Sequence, residues 1–192
     1  MAEIKSALEL ALEKAERYGK ASPEEMQEVK WQEQARSLAA EFLREKIDLE
    51  PELKKLPAEA QPALIKYVKE ILLRNINLPR EGVADTAGKR AQVGILQVSR
   101  DKKAAQRVLQ EINQVFASYE QVRQNALQQL KSQFNAQLDS YRKSMEAQMQ
   151  RPLKVDVENT PQFQEQWRAF ETQLNQQFEP LLDKHKAMLA TL

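Results

Sequence analysis

The amino-acid sequence predicts an all-α protein, and three observations carry the prediction. Four glycines in 192 residues are too few for a turn-rich β protein. The stretch from Ile95 to Arg151 holds neither glycine nor proline and repeats apolar residues at helical spacing. Ser22-Pro23 and Thr160-Pro161 each place a capping hydroxyl before a proline, the pairing that opens helices. The expected architecture is a small N-terminal helical bundle over residues 1–80 and a glycine-containing loop over 81–94. A long helix and an antiparallel C-terminal helix, a coiled-coil-like hairpin, fill 95–192.

Each element has its own warrant. From Ala2 to Tyr18, Ile4, Leu8, Leu12 and Ala15 form one apolar side, and Gly19 can close that helix. Its polar side mixes acids with bases, which suits a helix docked on its own bundle better than one lying on a membrane. Ser22-Pro23-Glu24-Glu25 has the spacing of a capping box, so a second helix should start there and run through Val29, Leu38, Phe42 and Ile47 to about Leu49. Pro51 and Pro57 divide the next stretch of chain into a short helical piece and a turn. Leu64, Ile65, Val68, Ile71 and Leu72 mark a third substantial helix, ending near Asn75 to Pro79 because proline restricts the residue before it and lacks an amide donor.

The glycines of Arg80 to Gly94 then suggest a hinge. Beyond it, Val108, Ile112, Val115, Tyr119, Val122 and Ala126 step by fours and threes, the seam of a left-handed coiled coil. Leu130, Phe134 and Leu138 continue by fours, a change of pitch resembling a stutter. If continuous from Ile95 to Arg151, this helix would be about 85 Å long, against about 40 Å for the diameter of a globule of this size. After Pro152, the alternation Leu153-Lys154-Val155-Asp156-Val157 reads as a short extended segment. The last helix carries Phe163, Trp167, Phe170, Leu174, Phe178, Leu181 and Met188, and Pro180 should kink or split it after Phe178. Folding straight back from Pro152, it would cover only the distal part of the long helix.

Charge and composition exclude several classes of function. Twenty-nine Lys and Arg residues nearly balance 28 Asp and Glu, a formal net charge of +1, so the molecule has no general attraction for polyanions. With 30% charged residues and a mean hydropathy of -0.67, no run approaches bilayer length; no membrane partner is expected and a cytoplasmic location is. The lack of cysteine removes disulfides and thiolate chemistry.

The chemical motifs are weak. Gly82 to Arg90 has the look of a phosphate-binding loop, but five residues separate Gly82 from Gly88 where four are needed, and Arg90 stands where a magnesium-binding Ser or Thr is required. His185 is the single histidine, and Leu182 occupies the place of the glutamate in a Glu-x-x-His metal pair. Glu9 with Glu13 and Glu41 with Glu45 are one-turn carboxylate pairs on polar faces, where helix salt links are commoner than acid–base catalysis. No enzyme activity, metal or cofactor is expected.

The opening Glu3-Ile4-Lys5-Ser6-Ala7-Leu8-Glu9-Leu10-Ala11-Leu12-Glu13-Lys14 resembles the start of an uncharacterised bacterial family of small soluble helical proteins. The resemblance implies a bacterial origin and assigns no activity and no site residue.

The expected function is that of a non-enzymatic structural or adaptor protein, binding itself as a homo-oligomer or binding another helical protein. Val108, Ile112, Val115, Tyr119 and Val122 are the expected contact residues, because their seam outruns the C-terminal helix. One alternative is a holding chaperone or export adaptor using Met145, Met149 and the C-terminal aromatics as an adaptable apolar surface. The other is nucleic-acid binding through the basic segment 89–107, with Lys89, Arg90, Arg100, Lys102, Lys103 and Arg107. Against that stand the missing aromatic interleaving and the balanced overall charge.

Overall fold

A computed structural model describes residues 22–80, 82, 85–149 and 156–192 of the chain. Those residues form six α-helices, one 3₁₀ turn and no strand, so the protein is all-α. The helices are α1 (Pro23–Leu43), α2 (Leu49–Lys54), α3 (Gln61–Arg74), α4 (Thr86–Val98), α5 (Lys102–Met149) and α6 (Pro161–Thr191), with the 3₁₀ turn at Val157–Asn159. The expected helix over Ala2 to Tyr18 and most of the extended segment after Pro152 lie outside the described residues. The chain divides into two compact units, Met1–Ile71 and Leu72–Leu192, a division that falls inside α3.

In the first unit, α1 begins as its sequence dictates. The Ser22 hydroxyl accepts from the Glu25 amide at 3.1 Å, and the Glu25 carboxylate accepts from the Ser22 amide at 2.8 Å, a closed capping box with Pro23 in the first turn. The helix stops at Leu43, short of the expected Leu49. Glu45 turns into the left-handed region at φ 60°; its amide bonds to the Phe42 carbonyl, and the Lys46 amide bonds to that of Glu41. This is a Schellman closure with glutamate where glycine is usual, at a backbone cost on the order of 1–2 kcal/mol. Ala35, Ala39, Phe42, Leu49, Leu64 and Val68 are fully buried. The Tyr67 hydroxyl also donates to the Glu28 carboxylate.

The second unit departs from expectation where the glycines lie. The segment expected to be a loop over 81–94 is helical from Thr86, and Gly88, Ala91, Gly94, Ile95 and Val98 form the buried face of α4. The Asp85 carboxylate starts this helix by accepting from the Gly88 amide at 2.8 Å. Gly82 alone among the described glycines takes a positive φ, 69°.

The long helix does not start at Ile95 either. Ser99 leaves α4 in an extended conformation while its hydroxyl donates to the Ile95 carbonyl at 2.7 Å. Two residues later the Asp101 carboxylate accepts from the Ala104 amide at 2.9 Å and opens α5. Helix α5 still holds 48 residues, about 72 Å.

Helix α6, 31 residues, begins with Pro161 in its first turn. Its N-cap hydroxyl is not used as expected: Thr160 Oγ1 donates back to the Val157 carbonyl at 2.7 Å and makes no cap bond. Pro180 does not split the helix, which runs on to Thr191.

A ladder of contacts fixes the pairing of α5 with α6 as antiparallel. Lys131 meets Glu158 at 2.7 Å, and Phe134 meets Phe163 edge-on with ring centroids 5.4 Å apart. Further along, Arg123 meets Glu171, Tyr119 meets Asn175 and Phe178, and Glu111 meets His185. At the far end the Arg100 amide donates to the Leu192 carbonyl at 3.0 Å. The expected coverage is therefore reversed: α6 lies along the proximal two thirds of α5, from Lys102 to Phe134, rather than along its distal part. Helix α6 begins close to the level of Phe134, well before the Met149 end of α5.

Candidate functional site

The reversed coverage changes the role of the seam. Val108, Ile112 and Tyr119 are buried, Val115 is half-buried, and Val122 remains 42% exposed. The premise that this stripe outruns the C-terminal helix does not hold, because α6 reaches past its start. Ile112, at 0% exposure, is core.

Two edges of the α5–α6 pair differ in chemistry. On one, polar groups bridge the helices. The Tyr119 hydroxyl donates to Asn175 Oδ1 at 2.8 Å, and its ring stands edge-on to Phe178 at 5.4 Å. Arg123 Nε and Nη2 both donate to Glu171 Oε1, at 3.0 and 2.8 Å, while the guanidinium lies 5.2 Å from the Trp167 ring centre. Trp167 in turn stacks on Phe170 at 5.5 Å and 22°.

The segment Asn77 to Arg80 runs beside this edge and encloses two clefts that share Pro79, Arg80, Tyr119 and Asn175. The smaller, about 220 Å³, also takes in Glu179, Asp183 and Lys186; the larger, about 400 Å³, takes in Arg123, Trp167 and Glu171. Arg80 and Lys186 line the smaller cleft together with Glu179 and Asp183, so its formal charges cancel. Burial lowers the Lys186 pKa, opposed by the charges of Asp183 and Glu179. Burial raises that of Tyr119; Arg123 opposes the shift, and Glu171 and Glu179 reinforce it. The tyrosine is thus held as a neutral donor, suited to bridging helices rather than to giving up its proton.

The opposite edge carries exposed apolar side chains and, between them, the contact of His185 with Glu111. At 3.6 residues per turn, Leu181 and Met188 fall on the other side of the buried stripe from Asn175, Glu179 and Lys186. They are 46% and 43% exposed. On α5, Val115 and Val122 are likewise seven residues apart. Val115 lies between Glu111 and Tyr119 as Leu181 lies between His185 and Phe178, which puts the two at one level of the ladder.

The remaining sequence candidates separate cleanly. In the glycine loop, a side chain added at Gly88 would fall on the Asp85 carboxylate. That carboxylate caps the helix amide a phosphate would need, so phosphate binding is unfavourable there. His185 contacts the Leu181 carbonyl and Glu111, and among the described residues no group of three or more His, Cys, Asp or Glu is placed to hold a metal ion. Glu41 and Glu45 are exposed, Glu41 accepting from the Ser37 hydroxyl at 3.4 Å; Glu9 and Glu13 lie outside the described residues, as do the side chains of Met145 and Met149.

Of the basic segment, Lys89, Arg100, Lys102, Lys103 and Arg107 are exposed and Arg90 is half-buried. The Arg100 bond to the Leu192 carbonyl sets the start of α5 against the C-terminal end of α6, where cations complement the helix dipole. Asn77, Arg80, Asn175 and Lys186 had no signal in the sequence: no short motif contains them, and only the fold brings them together.

No described helix is long and apolar enough to cross a membrane. No curated protein and no solved structure matches the chain. The expected membership of an uncharacterised family is borne out, over residues beyond the opening ones. The pattern of a family of unknown function, DUF6657, matches residues 50–191, from α2 through α6 and well over half of the chain, and the protein belongs to that family.

Proposed function

We propose that the protein is a non-enzymatic structural or adaptor protein that binds a helix, of a second copy or of another helical protein, along the apolar edge of α5 and α6. The observation behind this reading is the exposure of Val122, Leu181 and Met188 on one edge of a helix pair whose other edge is bridged by polar groups. Apolar side chains grouped along two neighbouring helices suit the apolar stripe of a third. Val108, Ile112 and Tyr119, by contrast, serve the hairpin itself. A cytoplasmic setting belongs to the same proposal and is compatible with a chain without cysteine.

The test is sedimentation of the wild type beside Leu181→Glu combined with Met188→Glu. Self-association that the double variant abolishes, with helical circular dichroism unchanged, supports the reading. A wild type that stays monomeric at every concentration removes the second copy as occupant. Cross-linking to a helical partner that the double variant leaves undiminished removes the edge itself as the site.

A further inference from the structure

We propose that the smaller cleft beside the polar edge binds a zwitterion, an α-amino acid with an uncharged side chain, its carboxylate on Arg80 and its ammonium on Glu179. All the groups concerned belong to the second unit. Arg80 lines both clefts, and Glu179 lines the smaller. Among the described residues neither of the two makes a hydrogen bond or an ion pair, with the other or with any third group. The remaining charges there are already matched. Lys186 is directed toward Asp183 at 3.9 Å, and Arg123 is held by Glu171 at 2.8 Å. What is left over is a guanidinium and a carboxylate, the complement of a molecule that carries both charges.

The lining also excludes the simpler ligands. A dicarboxylate would meet Glu179 and Asp183, and a diamine would meet Arg80 and Lys186; opposite charges on one molecule avoid both conflicts. Burial dominates the pKa shifts of Tyr119 and Lys186, and the Glu179 charge contributes to both, which sets its carboxylate near those two lining groups. Asn175 accepts the Tyr119 hydroxyl through Oδ1, so its amide nitrogen is left as a second donor for the ligand carboxylate. The wall that carries Arg80 is anchored. Ile76 is fully buried at its start, and Pro79 restricts the backbone beside Arg80. The larger cleft, about 400 Å³, shares Pro79, Arg80, Tyr119 and Asn175 and takes in Trp167. Its Arg123–Glu171 pair is closed on itself, so an uncharged side group suits it. The volumes suit a small molecule rather than a length of chain. Leu181 and Met188 lie on the other edge, so this site stands whether or not a helix binds there.

Calorimetric titration of the full chain with L-leucine, L-glutamine and L-phenylalanine tests the inference. At least one should bind with a Kd below about 1 mM. Arg80→Ala and Glu179→Gln should each weaken that affinity by about tenfold or more, through loss of a charge-assisted contact. Both side chains are exposed, so helical circular dichroism should not change in either variant. The amide of the same amino acid, which lacks the carboxylate, and its N-acetyl form, which lacks the ammonium, should each bind about tenfold more weakly as well. Binding should shift the indole N–H resonance that Trp167→Phe deletes, locating the ligand at the cleft. The absence of saturable heat from all three amino acids up to about 10 mM would overturn the inference. So would an affinity that survives both substitutions, or an amide or N-acetyl form that binds as well as its parent.

Discussion

The two edges of one helix pair show how the same seam supports opposite uses. Along the polar edge, Tyr119, Arg123, Glu171 and Asn175 reach across and satisfy one another, so that edge offers little to a partner. Along the apolar edge, Val122, Leu181 and Met188 cover the side of the core without closing it. Polar bridges need defined geometry and reward it with a fixed register. Apolar side chains need only contact and accept another helix as readily as each other. The Tyr119 side is therefore the more densely bridged, while the other side, bridged at Glu111 and His185, keeps exposed apolar side chains to either side of that contact.

The largest expected effect lies between the edges. Ile112→Ala removes a fully buried side chain and should cost about 2–5 kcal/mol in denaturant unfolding. A loss below about 1 kcal/mol would mean that the proximal seam is not core, and the contrast between edges would disappear with it.

Next comes the polar edge. Tyr119→Phe removes the hydroxyl bonded to Asn175 and should cost about 1 kcal/mol. The same substitution sharpens the comparison through pH. Burial raises the Tyr119 pKa above the ordinary 10.0, so the folded state holds the phenol proton more tightly than the unfolded state does. The resulting stabilisation is complete below that ordinary value and is lost as pH rises through the folded pKa. The Tyr119 phenol should therefore add a late component, above the ordinary value, to the phenolate absorbance titration, and Tyr119→Phe should remove that component. A wild-type titration without that late component would detach Tyr119 from the bridge.

The smallest effect on stability belongs to the apolar edge. Val122→Glu should change unfolding by no more than about 0.5 kcal/mol, because the side chain is largely in water. A loss near that of Ile112→Ala would show that the edge is closed in solution and would end its candidacy as a contact surface.

Local chemistry was legible from sequence wherever a residue acts on its near neighbours. Ser22 and Glu25 announced their capping box, and Gln61–Arg74 was foreshadowed by apolar spacing and the prolines around it. Glu45 gave no warning, because its left-handed turn is normally marked by glycine. The glycines at 88 and 94 misled in the opposite direction, serving a buried helix face rather than a loop. Asp101 was a readable cap that the absence of glycine and proline obscured. Register was beyond reach for another reason: apolar stripes on α5 and α6 match in several alignments, and periodicity does not say which level of one meets which level of the other. The contact residues depended on that alignment, which is why Val122 kept its place at the surface and Ile112 did not.

The bond from Arg100 to Leu192 has a consequence for synthesis. The start of the long helix is made 92 residues before the segment that covers it, counting from residue 100 to residue 192. At about 5–20 residues per second, Ile112 and its neighbours wait on the order of 5–20 seconds for their partner helix. During that interval the nascent chain carries an uncovered apolar stripe, and substitutions that slow translation after Phe134 would lengthen the exposure without altering a single contact in the finished fold.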